Sequence, residues 1–273
     1  MAHEQLKPDS KSANQSTDRL LSLVEFLSEQ PEPMRISDIA QRCGMNVSTV
    51  HRFLTALQAR GYAVQDMESG RYSLTFKFCR IGNSIQARTD LREVSLPYLH
   101  AVAQEFGDTV SLAIEYDMAV MYQEAFPGPL RSGTSLGVDG GLGPLHASAA
   151  GKLFLSCYDP RRLEQFLAVK GMPALTPATI TTLPQLRKEL LKVKVRGLAY
   201  DNEESAAGSR GVACPIKDFT NQVVAAISVR GPASRMTDGY IQKNLPLLLD
   251  STAKISARMG YEPGRDQAPV YRR

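Results

Sequence analysis

Sulfur, histidine and long apolar runs are scarce in this 273-residue chain, and each shortage removes a class of function. The four cysteines, Cys43, Cys79, Cys157 and Cys214, stand far apart and form no CxxC pair. They read as reduced thiols, not as a disulfide frame or a zinc knuckle. The four histidines, at 3, 51, 100 and 146, have no metal-type spacing, so no metal site is expected. No run of about eighteen apolar residues occurs, which argues against a membrane span. The opening stretch MAHEQLKPDSKSANQST lacks the apolar core of a secretory signal. A cytoplasmic protein is the expectation.

Catalytic signatures are lacking too. No GxSxG occurs. PLHASAAGKLF has the GK of a phosphate loop, but His146 and Leu153 occupy the positions where that loop needs glycine and a hydroxyl. His146 has no nucleophile to serve and reads as structural. Lys152 reads as a surface or pairing residue. Glu203 and Glu204 read as a solvated or capping pair, since an acid–base dyad needs two opposed environments. The expectation is a protein that is not an enzyme and needs no cofactor.

What is present begins at Ile36. The stretch ISDIAQRCGMNVSTVHRFLTALQARG predicts two short helices joined at Gly44, and YAVQDMESGRYSL predicts a hairpin after them. In the first helix Ile36, Ile39, Ala40 and Cys43 share one face, and Ser37 and Asp38 supply capping chemistry. In the second, capped by Asn46, the residues Val47, Val50, Phe53, Leu54 and Leu57 face inward. Ser48, Thr49, His51, Arg52 and Thr55 face out. The pattern is that of a winged helix-turn-helix, whose second helix enters a DNA major groove. Ser48 and Thr49 would meet bases and phosphates, and His51 and Arg52 would reach phosphates or a guanine edge. Arg71, expected at the hairpin tip, would enter a minor groove or clamp a phosphate. An amphipathic helix with a solvated polar face fits the helical residues equally well until the hairpin is counted.

Charge agrees with the hairpin. The whole chain carries a formal net charge of only +4, which decides nothing. Between residues 42 and 88, however, Arg42, Arg52, Arg60, Arg71, Lys77, Arg80 and Arg88 face only Asp66 and Glu68.

The length allows two domains. The sequence divides into a polar arm over 1–16, the DNA-reading module over 17–81, a helical linker over 82–95, a second domain over 96–262 and a tail over 263–273. Thr17 to Glu29 predicts a first helix with Leu20, Leu23, Val24 and Leu27 inside. Pro97 is expected to start or kink a helix. After Thr109 the period changes to that of strands, with turns at Tyr116-Asp117 and over Phe219 to Gln222. Helical stretches lie between and after them. Hairpin-linked strands imply a mixed domain with a mainly antiparallel sheet, so the fold class is α+β.

Four stretches in one order give the chain a resemblance. STVHRFLTAL with GRYSLTFKFCRIG, then PLHASAAGKLFL, then RGLAYDNEESAAGSRGVACPIKD, then VVAAISVRGP resemble the IclR family of bacterial transcriptional regulators over about residues 17 to 262. The resemblance implies a winged helix-turn-helix followed by a GAF-like or profilin-like effector domain. It implies homodimers or homotetramers on a palindromic operator of double-stranded DNA, governing a catabolic operon in response to a small carboxylate or aromatic acid. Position by position it places Ser135, Leu145, Ala149, Ala150, Asp201, Gly211, Ser228 and Arg230 in the effector pocket. Three positions depart from the family's usual residues. Ala149 stands where glycine is frequent, Gly211 where cysteine is frequent, which enlarges the site, and Arg230 where serine is frequent.

Arg230 lies two residues from Ser228 and so on the same strand face. Aimed into a pocket it would hold an anion with paired hydrogen bonds. Alternatively it pairs with an acidic neighbour or leans to solvent. Two other functions remain open from the residues alone: an architectural DNA-binding protein whose second domain only oligomerises, and an enzyme with a DNA-binding head.

Overall fold

The computed structural model describes residues 15–86, 89–130 and 141–264. The chain divides into two compact units, Met1–Arg88 and Thr89–Arg273. In the first, α1 (Gln15–Ser28), α2 (Ile36–Arg42) and α3 (Val47–Ala59) precede a hairpin of β1 (Ala63–Gln65) and β2 (Tyr72–Leu74), and α4 (Lys77–Gln86) follows. Leu23 and Leu27 of α1, Ile39 and Ala40 of α2, and Val50, Phe53 and Leu54 of α3 close one core with Tyr72 of the hairpin. Gly44, at φ +63°, makes the sharp turn between α2 and α3.

Three local expectations fail here. The N-cap of α2 is Arg35, and no side chain caps it; Ser37 and Asp38 lie inside the first turn. There Asp38 contributes charge at the helix's positive end rather than a capping bond. Asn46 is the N-cap of α3 but makes no capping bond either. Val47 does not face inward. It is 51% exposed, because the buried stripe of α3 starts only at Val50.

The second unit is built on one six-stranded sheet in the order β5-β4-β3-β8-β7-β6, every pair antiparallel. Its strands are β3 (Thr109–Tyr116), β4 (Ala119–Phe126), β5 (Leu142–Gly143), β6 (Ala199–Asn202), β7 (Ser209–Lys217) and β8 (Val223–Pro232). The β3–β4 turn is at Asp117-Met118, one residue later than expected; both have positive φ, at 47° and 57°. Strand alternation sorts the side chains into two cores. Val110, Leu112, Val212, Cys214, Ile227 and Val229 point to one face, shared with Leu99, Val102 and Phe106 of α5 (Leu91–Phe106) and Leu248 and Ile255 of α9 (Asp238–Arg258). Burial there pushes the Cys214 thiol up to about 12, so it stays protonated. Pro97 neither starts nor ends a helix: α5 is already under way at Leu91, where Asp90 caps it by accepting from the Arg92 amide.

On the opposite face Ala113, Ala199, Ala213 and Ala226 present a shallow floor to α6 (Ala149–Ser156), which is buried along its whole length. Small side chains let this helix lie close to the sheet. Gly151 brings it equally close to the preceding chain, since a Cβ there would collide with the Leu145 backbone. Outside α6 pack α7 (Pro160–Val169) and α8 (Leu183–Arg196), through Leu163, Phe166, Leu186 and Leu190.

This face also holds a buried ion pair: of the two readings of Lys152, surface or pairing, pairing is the one seen, while Glu204 is buried and not solvated. Lys152 of α6 is 1% exposed and pairs with Glu204, in the turn after β6. Burial pushes the Glu204 carboxyl up, against the pull of Lys152 in the opposite direction. Removing one partner strands the other charge, whereas replacing both with apolar groups of similar volume does not. Lys152→Ala is expected to destabilise the protein by roughly 3–5 kcal/mol, and a Lys152→Met, Glu204→Leu double variant by far less. Urea unfolding of the three proteins measures this; equal losses would show that the pair contributes through packing alone.

A second pair ties the start of β3 to the chain that leaves β8. Asp108, just before β3, is gripped by both guanidinium arms of Arg235, just after β8, with Nε to Oδ2 at 2.9 Å. Gly231 makes room, because a Cβ there would strike the Asp108 carboxyl. Gly231→Ala should therefore cost about 1–3 kcal/mol by overpacking. A thermal midpoint unchanged from wild type would show that Asp108 moves aside freely.

Candidate functional site

The first candidate surface lies on α3. Its buried stripe leaves Ser48, His51, Arg52 and Thr55 exposed and Thr49 half-buried. The hydroxyls of Ser48 and Thr49, the His51 ring and the Arg52 guanidinium make no hydrogen bond or ion pair among the described residues; Arg52 only leans over the Phe53 ring at 5.5 Å. Other cations of the segment are engaged. Arg42 donates to the Gln30 side chain at 3.1 Å and lies over Phe26, while Lys77 donates to the Arg60 carbonyl and lies over Tyr62. The charge excess in the sequence thus overstates the free charge. On the polar face of α3, Arg52 is a cation without a hydrogen-bond or ion-pair partner among the described residues, with the His51 ring beside it.

Arg71 is not at the hairpin tip. The turn runs over residues 66–70, tied by Asp66, whose carboxylate accepts from the Ser69 amide at 2.7 Å and from its hydroxyl at 2.6 Å. Those bonds hold the Asp66 carboxyl below the usual range. Arg71 follows the turn, its carbonyl accepting from the Asp66 amide at 2.8 Å, and its guanidinium donates to the Pro33 carbonyl at 3.4 Å. The tip instead carries Met67, 96% exposed.

The second candidate lies on the α6 side of the large sheet, where three rows cross the strands. Asp201, Gly211, Arg230 and Thr109 form one row. Ala199, Ala213, Ser228 and Ser111 form the next, and Pro215, Ala226, Ala113 and Tyr122 the third. Arg230 and Asp201 are separated by the whole width of β7, yet the guanidinium comes within 3.9 Å of the Asp201 carboxylate and donates to the Ser205 hydroxyl at 3.3 Å. It crosses above Gly211. A Cβ at Gly211 would stand 2.9 Å from the Val229 carbonyl and 3.8 Å from the Asp201 Cβ. What a side chain at Gly211 would meet is the β8 backbone at the Val229 carbonyl.

Asp201 is almost wholly buried, and its oxygens are committed. Oδ1 accepts from the amides of Glu204 at 2.9 Å and Ser205 at 3.2 Å, and Oδ2 from the Ser205 hydroxyl. It therefore anchors the turn and supplies Arg230 with a counter-charge. Of the sequence's two alternatives for Arg230, pairing with an acid is the arrangement seen, though only its Nη2 is engaged.

Leu145, Ala149 and Ala150 are buried at the start of α6. Ser148 caps that helix, accepting from the Gly151 amide at 3.1 Å. The Ala149 and Ala150 amides have no partner among the described residues and form its positive end. Ser135 lies outside the described residues. His146 is structural, as expected, with Nε2 3.0 Å from the Pro173 carbonyl; burial pushes its pKa down.

Two residues of this face were missed. Ser111 sits beside Ser228, and its hydroxyl could be placed only once the β3–β8 register was known. Tyr122 is buried near Ser148; burial pushes its phenol up, with Arg230 close enough to pull it the other way. Strand alternation in AVMYQEAF is the signal that could have put Tyr122 on one face, but a β-bulge between Leu112 and Ala113 shifts the pairing that puts it here.

Comparisons with known proteins fit both surfaces. The model of the IclR helix-turn-helix domain matches residues 16–67, and that of the bacterial transcriptional regulator IclR C-terminal domain matches residues 84–257. The chain is 30% identical over 250 residues to the transcriptional repressor IclR of Escherichia coli (strain K12), covering 90% of each protein. It superposes on the IclR of Thermotoga maritima with a TM-score of 0.59 at 26% identity, covering 90% of this chain and 99% of that one. The fold is also that of an IclR homologue from Microbacterium hydrocarbonoxydans complexed with 4-hydroxybenzoate, with a TM-score of 0.56 at 23% identity over 90% and 99% of the two chains. These relatives regulate transcription and are not enzymes. The chain belongs to the IclR family of bacterial transcriptional regulators, which pair a DNA-binding helix-turn-helix with an effector-binding domain.

Proposed function

We propose that α3 reads the major groove of a palindromic operator through Ser48, Thr49, His51 and Arg52, and that a small carboxylate or aromatic acid in the second domain controls that reading. The observation that carries the DNA half is an exposed arginine and imidazole beside hydroxyls without a partner among the described residues, on the helix after the turn. Arg71, just after the turn of the wing, clamps a phosphate by exchanging its long bond to Pro33. The protein works in the cytoplasm as a homodimer or homotetramer, whose two-fold symmetry matches that of the operator.

The effector half rests on Arg230 and the start of α6. Arg230 has two nitrogens without a partner among the described residues. With the Ala149 and Ala150 amides it offers an anion a bidentate cation and a helix N-terminus on one sheet face. Leu145, Ala149 and Ala150 wall the site, Ser228 and Gly211 floor it, and Asp201 holds Arg230 in place. The 4-hydroxybenzoate held by the solved relative belongs to the acid class assigned here. For such an acid to act as a switch it must bind one arrangement of the protein better than the other.

Two substitutions separate the halves. Arg52→Ala should weaken binding to a selected operator duplex and lower the slope of log affinity against log salt by about one per protomer. Anisotropy titrations at several salt concentrations test this, and an unchanged slope removes Arg52 from the phosphate contacts. Arg230→Ala should retain operator affinity and lose the response to acid. A variant that still releases or tightens on DNA with the same acid dependence as wild type would remove Arg230 from the effector site.

A further inference from the structure

The face of the large sheet that carries α5 and α9 changes character toward β6. On β7 the side chains turned to this face run from Ile216, Cys214 and Val212, all buried, to Arg210. Along β6 they run from Leu198, buried just before the strand, to Tyr200, half-buried, and Asn202, exposed. α9 packs against β7 and β8. Beside it, over β6, lies a groove of about 900 Å³. Its walls are Arg196, in the last turn of α8, and Asp238, Gln242 and Leu245, which share one face of α9.

The polar groups of the groove are satisfied at one end and not at the other. Arg210 donates to the Asn202 carboxamide oxygen at 2.8 Å and pairs with Asp238 at 2.5 Å, and Glu203 accepts from the Gly208 amide at 2.7 Å. Both acids are thus answered within the protein. Arg196 makes no hydrogen bond or ion pair among the described residues. The Tyr200 phenol accepts from the Gln242 amide at 3.3 Å and keeps its own proton to donate. Burial pushes that phenol up, and Arg196 lies close enough to pull it the other way. What is left over at the Arg196 end is a cation and a hydroxyl donor without an acceptor. A guanidinium presents paired N–H groups that match a carboxylate or a phosphate. Leu198, the Tyr200 ring and Leu245 add apolar surface beside them. We propose that this groove is a second ligand site, which takes an organic oxyanion with its carboxylate or phosphate head on Arg196 and the Tyr200 hydroxyl and its apolar body against Leu198 and Leu245. The site is separate from the Arg230 face, because Tyr200 and Asn202 project from β6 to the side opposite Asp201.

Calorimetric titration of the full-length protein with benzoate and with phenyl phosphate tests the groove and tells its two head groups apart. The titrations use the Arg230→Ala protein, so that an acid held on the α6 side does not contribute. At least one probe should bind saturably. Adding Arg196→Ala should weaken that probe by about tenfold or more, the worth of a charged hydrogen-bonded pair. Adding Tyr200→Phe, which keeps the ring and removes the hydroxyl, should weaken it by about threefold to tenfold. Adding Arg187→Ala, an exposed arginine of the same helix that does not line the groove, should leave the affinity unchanged. Failure of both probes to bind, an affinity that survives Arg196→Ala, or an equal loss in Arg187→Ala would overturn the site. None of these outcomes bears on the effector reading, which is decided by wild type against Arg230→Ala. If those two respond alike to acid, the effector reading fails and the Arg196 result stands.

Discussion

The buried Lys152–Glu204 pair is the constraint on which the effector face depends. Lys152 belongs to the helix whose first residues wall the site, and Glu204 belongs to the turn that Asp201 anchors and Arg230 touches. One ion pair therefore fixes the wall and the turn to each other. Two charges this deep are a poor way to gain stability, since desolvation offsets most of their attraction. What they supply is position. An apolar contact tolerates sliding, whereas a buried ammonium and carboxylate lose heavily if they separate. The second Glu204 oxygen has no partner, which raises the cost of any displacement further.

The same reasoning explains how Arg230 stays available. Its counter-charge is Asp201, but Asp201 has already committed its oxygens to two amides and a hydroxyl, and the guanidinium stands off at 3.9 Å. A tight bidentate pair, such as Asp108 with Arg235 just beyond the same end of β8, leaves no capacity for a ligand. The loose pair neutralises Arg230 enough to be held near the site in the free protein, and an incoming carboxylate competes only with a long contact and one bond to Ser205.

Periodicity revealed much of this architecture and little of its polar geometry. The helix-turn-helix, the antiparallel hairpins and the apolar stripes follow from spacing, because burial of one face imposes a repeat on the sequence. Val47 broke the pattern since apolar character alone does not say where a stripe begins. Arg71 was put at the tip because the turn's closure by Asp66 and Ser69, which leaves Arg71 on the returning strand, depends on side-chain bonds. Pairing was one of the readings of Lys152, but its partner lies 52 residues away and could not be named, and Glu204 reads as solvated or capping because charge argues for solvent unless a partner is known. Ser111 was invisible for the same reason. A serine in a strand carries no signal until register sets another serine beside it.

That difference bears on how a site of this kind evolves new ligands. The parts legible from spacing, namely the sheet, the alanine floor and the capped helix, set where a ligand sits and how much room it has. The parts that depend on register, Ser228 and Arg230 beside Gly211, would on the proposed reading choose among ligands, and each belongs to a strand whose opposite face is locked in the other core. Substitution at these positions changes hydrogen bonding without disturbing the strand, so specificity varies while the fold does not. The output imposes one further condition. A ligand bound with equal affinity in both arrangements of the protein shifts nothing, however well these groups hold it. The group most able to meet that condition is the Arg230–Ser205–Asp201 contact, because a carboxylate that draws the guanidinium away acts on the same turn that Glu204 ties to α6.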